Sequence, residues 1–160
     1  MLPGDGVGPE VTKLAIDVLH STASVFSHEL NVEFYEIGWS AYENQGNPLP
    51  DSTLNGCKSA DAVLLGAVGD PRGDELAPEL RPERGLLSLR QELGCFANIR
   101  PSRLLPCLSN ASPLSLKTVQ NTDLVIVREL AGGIYYGEPS GISENGDAAL
   151  DTMRYHREEI

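Results

Sequence analysis

The sequence predicts an α/β protein with a largely parallel or mixed sheet. Three observations carry this prediction. Short apolar runs rich in β-formers occur at residues 62–68 and 123–129, amphipathic stretches of helical period lie before and between them, and a glycine-dense loop opens directly into the first of those helices.

The elements follow in chain order. Gly4-Asp5-Gly6-Val7-Gly8-Pro9-Glu10 is a loop. Pro9 suits the first helical position and Glu10 complements the positive end of the helix dipole. Val11, Leu14, Ala15, Val18 and Leu19 recur at helical spacing, which predicts a helix to about Phe26. Residues 31–37, NVEFYEI, alternate and predict a strand. Pro48 to Asp51 form a loop into a short helix capped by Asp51 or Ser52. Residues 62–68, AVLLGAV, form the continuous run expected of a strand buried on both faces. Residues 69–84 are polar and proline-rich and predict a surface excursion, and residues 85–93 predict a helix ended by Gly94. Two more strands are expected, at 96–105 and, buried, at 123–129. From Gly132 the texture turns to Gly, Tyr, Pro and Ser with weak alternation near 148–155, which predicts a protruding hairpin or arm. A composition shift at 94–98 divides the chain into residues 1–95, part of a first α/β domain, and 96–160, part of a second.

Composition bounds the function. Apolar residues are 41% and charged residues 22% of the 160, enough for a packed core. Twelve Lys and Arg against 23 Asp and Glu give a net charge of −11, which repels phosphate backbones and anionic lipid, so nucleic acid and membrane partners are not expected. No stretch approaches the roughly 18 apolar residues of a membrane span, and MLPGDGVGPE lacks the basic-then-apolar pattern of a signal peptide. Cys57, Cys95 and Cys107 are odd in number and predict buried free thiols in a reducing, cytoplasmic setting. Both ends read as cut: only two residues precede Pro3, and the acidic start of a helix at 156–160 goes no further.

Three groups of residues could carry chemistry. The GDGVGPE loop allows close backbone approach ahead of a helix N-terminus, although its third glycine falls one position early for the dinucleotide fingerprint, and on composition alone a plain tight turn capping the helix is the better explanation. Arg90 on a helix, Arg100 at a strand start and Arg128 at the end of an apolar strand are the second group. Guanidinium forks grip carboxylates, so converging arginines suit a di-acid, with separate surface ion pairs as the alternative. The third is Gly132-Gly133-Ile134-Tyr135-Tyr136, a bend able to aim a phenol as a general acid, or simply to pack it. His20, His28 and His156 show no pairing pattern and read as surface residues.

These stretches resemble the isocitrate/isopropylmalate β-decarboxylating dehydrogenase family. The matching runs are LPGDGVGPEV at 2–11, AVLLGAVG at 62–69, RPERGLLSLR at 81–90, FANIRP at 96–101, VRELAGGIYYGEP at 127–139 and DTMRY at 151–155. The resemblance implies a two-domain fold that is not a standard Rossmann fold, with the active site in the interdomain cleft and a β arm that pairs in a homodimer. By that resemblance Arg90, Arg100 and Arg128 hold substrate carboxylates and Tyr135 is catalytic. Leu86 and Leu87 read the substrate side chain, and Gly6, Val7 and Glu83 lie near the cofactor. Apolar Leu86 and Leu87 suit an isopropyl group and would strand a third carboxylate, although the Ser88 hydroxyl is close by. The implied reaction is oxidation of a malate-type di-acid by NAD followed by loss of its β-carboxylate, with Mg²⁺ or Mn²⁺ bound by ligands outside these residues. The family's catalytic lysine is also expected beyond Ile160, since Lys13, Lys58 and Lys117 sit in no matching motif. Homoisocitrate, tartrate or isocitrate as substrate, or a non-catalytic truncated homologue, stay open as alternatives.

Overall fold

The computed structural model describes residues 1–159, and Ile160 lies outside them. The chain divides into two compact units, Met1–Leu93 and the residues from Gly94 onward.

In the first unit, strand β1 (Leu2–Gly4) pairs in parallel with β2 (Leu65–Ala67), in the register Leu2 to Leu65 and Gly4 to Ala67. The strands meet so closely that a Cβ on Gly4, whose φ is +70°, would overlap the Ala67 carbonyl oxygen. Helix α1 (Gly8–Phe26) follows with Pro9 and Glu10 in its first turn and ends at Ser27 in the left-handed region. Helix α2 (Trp39–Gln45) stops at left-handed Gly46, and α3 (Asp51–Ser59) is preceded by Pro50 as its cap residue, so neither Asp51 nor Ser52 caps it. Two 3₁₀ turns, Pro71–Glu75 and Pro78–Leu80, occupy the proline-rich excursion. Helix α4 (Pro82–Glu92) starts three residues before the predicted position because Pro82 already has the fixed φ of a first helical residue.

Two expectations for this unit are corrected. Residues 31–37 form no regular strand; they run beside β1 and bond it only through Met1, whose amino group donates to the Glu33 carbonyl (2.6 Å) and whose carbonyl accepts from Tyr35 N–H (3.0 Å). A single point of contact builds no ladder. The β2 strand is three residues long and half-buried rather than covered on both faces, because it has only β1 beside it. The core is correspondingly small: Leu2, Ile37, Cys57 and Leu89, with Tyr35, Leu49, Leu54, Val63, Leu65, Val68 and Leu93 packed around them. Burial pushes the Cys57 thiol above its ordinary pKa. Cys95 and Cys107 are exposed, contrary to the buried thiols expected, since both belong to the thinly packed second unit.

In the second unit, β3 (Ala97–Arg103) and β4 (Asp123–Glu129) form an antiparallel ribbon with Ala97 opposite Glu129 and Arg103 opposite Asp123. A 3₁₀ turn (Pro106–Ala111) and the short helix α5 (Leu116–Val119) connect them. The expected burial of residues 123–129 is not found: Ile126 is 53% and Val127 65% exposed, although their side chains alternate between the two faces. Two strands expose both faces unless another layer covers them. Past a 3₁₀ turn (Gly133–Tyr135), β5 (Gly141–Ile142) and β6 (Ala149–Leu150) form an exposed hairpin, the predicted arm. Residues 157–159 make one 3₁₀ turn, His156 has no regular structure, and only Ile160 of the helix start expected at 156–160 falls outside the described residues. Among the described residues no helix is long and apolar enough to cross a membrane.

Candidate active site

The glycine loop of the first unit is organised by a residue the sequence reading did not single out. The Asp5 side chain is buried, at 5% exposure, and accepts three backbone N–H bonds: Trp39 (2.9 Å) and Ser40 (2.9 Å) at the start of α2, and Gly69 (3.0 Å) after β2. One carboxylate thus satisfies the orphan donors of a helix start and ties the loop to the end of the second strand. Gly6 and Val7, just past this anchor, are exposed, and a Cβ on Gly6 would meet nothing. The backbone there is bare and open to an approaching molecule. Glu83 is close to the same anchor, with its carboxylate 3.0 Å from where a Cβ on Gly69 would sit.

Removing the Asp5 carboxylate strands partly buried donors, at about 1–3 kcal/mol for each. Asp5→Ala is therefore expected to cost about 2–4 kcal/mol, and Asp5→Asn less, because one acceptor oxygen survives. The shift in the urea midpoint of the two variants checks this; equal midpoints for Asp5→Ala and the parent protein would contradict the anchor.

Helix α4 sorts its residues by face. Pro82, Gly85 and Leu89 are buried, and Gly85 sits against the Pro48 carbonyl (2.7 Å from a notional Cβ). The neighbouring stripe at i, i+3, i+4 and i+7 is Glu83, Leu86, Leu87 and Arg90, in which the two leucines and the arginine are half-buried. The structure therefore puts four of the expected site residues on one side of one helix. Beside them Asp70 and Arg72 form a two-pronged pair (2.9 and 2.8 Å), and Arg72 stacks over Trp39 at 4.6 Å. The Arg72 hydrogen bonds hold the Asp70 carboxyl well below its usual range, at about 2.

The second unit gathers the remaining three. Asn98 lies opposite Arg128 and Arg100 opposite Ile126, so Asn98, Arg100, Ile126 and Arg128 share one face of the ribbon. Arg100 Nε donates to Asn98 Oδ1 (2.6 Å), which steers its guanidinium along that face. Arg128 donates to the Tyr135 hydroxyl and stands over the same ring, 5.1 Å from its centre. A phenol held on a guanidinium, with a second guanidinium on the same face, can bind an anion and place a proton donor beside it. Among the described residues no three His, Cys, Asp or Glu side chains gather as a metal-ligand set. The described residues therefore supply no such ligand set for a divalent cation. Gly6 and Val7 present open backbone, and Glu83 approaches Gly69, the residue that Asp5 ties to this loop.

The isocitrate/isopropylmalate dehydrogenase family model matches residues 1–160, and the chain belongs to that family. It is 52% identical over 163 positions to 3-isopropylmalate dehydrogenase of Bacillus subtilis, covering 100% of this chain and 45% of that relative. Isocitrate dehydrogenase from Methylococcus capsulatus matches with a TM-score of 0.76 at 27% identity over 99% of this chain and 42% of that one. A β-decarboxylating dehydrogenase from Thermococcus kodakarensis gives 0.64 at 31% over 99% and 40%. The chain thus spans less than half the length of these relatives.

Proposed function

We propose that, at its full encoded length, the protein oxidises 3-isopropylmalate with NAD and releases the β-carboxylate as CO₂, giving 2-oxo-4-methylpentanoate for leucine biosynthesis. The observation that carries this reading is the Arg128–Tyr135 pair beside Arg100 on one ribbon face. In this reading Arg90, Arg100 and Arg128 bind the two carboxylates of the substrate. Gly6, Val7 and Glu83 would hold NAD, which would supply the hydride acceptor for the hydroxyl-bearing carbon, and the hydroxyl proton would pass to a base outside the present residues. The bond to the β-carboxylate then breaks, its electron pair forms an enolate, and the Tyr135 phenol protonates the carbon that carried the carboxylate. Mg²⁺ or Mn²⁺ belongs to this proposal as a requirement met by ligands outside the present residues, and no step is assigned to it here. The protein is proposed to work in the cytoplasm as a homodimer joined through the β5–β6 arm, with no nucleic acid or membrane partner.

Substrate choice tests the member assignment. Leu86 and Leu87 are half-buried neighbours on the exposed stripe of α4. Replacing both with polar residues is expected to cost 3-isopropylmalate about 1–3 kcal/mol more than malate, the worth of apolar contacts in a hydrophobic pocket. Comparing kcat/KM for the two acids checks it. Equal losses would remove the leucines from the pocket, and a parent protein that prefers isocitrate, homoisocitrate or tartrate would replace the proposed substrate.

A further inference from the structure

We propose that Glu129 and Tyr155 clamp the turn that carries Tyr135 and so are positioning residues for its phenol. This rests on the proposed role of Tyr135 in the reaction, and none of the sequence motifs assigned either residue a task.

Arg128 and Glu129 are consecutive on β4, so their side chains leave opposite faces of the strand. Arg128 takes the far end of the turn, donating to the Tyr135 hydroxyl. Glu129 takes the near end: its Oε1 accepts the Gly132 N–H at 2.6 Å. The turn rests directly on Tyr155. Gly133 has φ +74° and a Cβ there would overlap the Tyr155 hydroxyl, while a Cβ on Gly132 would stand 3.1 Å from Tyr155 Cδ1. Gly133 N–H also donates to the Arg154 carbonyl (2.9 Å), fixing the strand of chain that brings Tyr155 in. Gly132 and Gly133 are themselves buried. The backbone before Tyr135 is thus enclosed by Glu129 and Tyr155, with Glu159 Oε2 also 2.7 Å from a Cβ on Gly132. Desolvation, together with the neighbouring Glu129 carboxylate, raises the Tyr155 phenol above its ordinary pKa of 10.0.

The test uses the protein at its encoded length, labelled with ¹³Cζ-tyrosine, as the parent and as Glu129→Ala, Glu129→Gln and Tyr155→Phe. The Tyr135 signal is assigned through Tyr135→Phe. Glu129→Ala and Tyr155→Phe are expected to move the Tyr135 carbon signal and to lower kcat roughly 10–100-fold with KM for the di-acid nearly unchanged, the effect of a misplaced reacting group. Glu129→Gln keeps an acceptor for Gly132 N–H and is expected to rescue both readouts. An unmoved Tyr135 signal, a loss in KM alone, or a Glu129→Gln variant as impaired as Glu129→Ala would overturn the clamp. So would global unfolding of Tyr155→Phe, which deletes one hydroxyl and should leave a positioning role separable from the fold. If the parent protein shows no dehydrogenase activity, the reaction reading fails by itself, and the carbon signal still decides the clamp.

Discussion

Expressed as its 160 residues alone, the chain is expected to self-associate and to reduce no NAD with 3-isopropylmalate and Mg²⁺. The physical cause is uncovered apolar surface. The β3–β4 ribbon shows Ile99, Leu124, Val125, Ile126 and Val127 to solvent, and α1 does the same with Leu14, Val18, Val25 and Phe26. Each ribbon strand also has an unpaired outer edge, which invites pairing with another chain. At about 25 cal/mol per Å² of apolar area, covering these faces is worth far more than the few fully buried side chains of the first unit supply. The net charge of −11 slows association but covers nothing. Light scattering on a size-exclusion column, with NADH absorbance read on the same sample, measures both parts. A monodisperse monomer with turnover would contradict them together.

Arg128→Lys, at encoded length, is expected to lower kcat/KM by about 10²-fold or more, because hydrogen bonds from a charged donor are each worth about 1.5–3 kcal/mol and the guanidinium would make more than one once the proposed carboxylate is bound. Arg128 has two tasks in the proposed site, gripping a carboxylate and holding the Tyr135 hydroxyl. An ammonium is a point charge on a flexible stem and cannot keep a fork on an anion while reaching a phenol. It also loses the planar stacking over the Tyr135 ring. Both kcat and KM should therefore worsen. Steady-state kinetics with the parent values retained would take Arg128 out of the site.

How far the sequence could be read depended on how local each cause is. The period of Val11, Leu14, Val18 and Leu19 lies within one helix, and α1 ends at Phe26 as its spacing predicts. The run at 123–129 is β4 to the residue, because β-rich apolar composition is also local. Its burial was not legible: apolar side chains favour cover, but two strands paired only with each other leave both faces open. Helix α2 escaped notice because WSAYENQ has little apolar period, and its first amides are capped by Asp5, 34 and 35 residues earlier. The segment 31–37 had strand alternation, but a strand also needs a neighbour with enough length to pair, and its backbone bonds are made to Met1, the residue before β1. At the site, Arg128 was conspicuous as a charge closing an apolar run. Asp5 carried a signal too, an acid between two glycines at the mouth of a helix. Glu129 and Tyr155 carried none, since their joint action runs through the packing of Gly132 and Gly133 against a ring contributed from beyond the hairpin.

The central claim is that this chain belongs to an enzyme that couples hydride transfer to loss of the β-carboxylate. The most direct measurement follows NADH and ¹³CO₂ together, in the protein at its encoded length, from 3-isopropylmalate labelled at that carboxylate. Equal amounts of the two products, both abolished in Tyr135→Phe or released there with oxidation outrunning ketone formation, are the predicted result. NADH without labelled CO₂, or no NADH from a folded protein, would contradict the account.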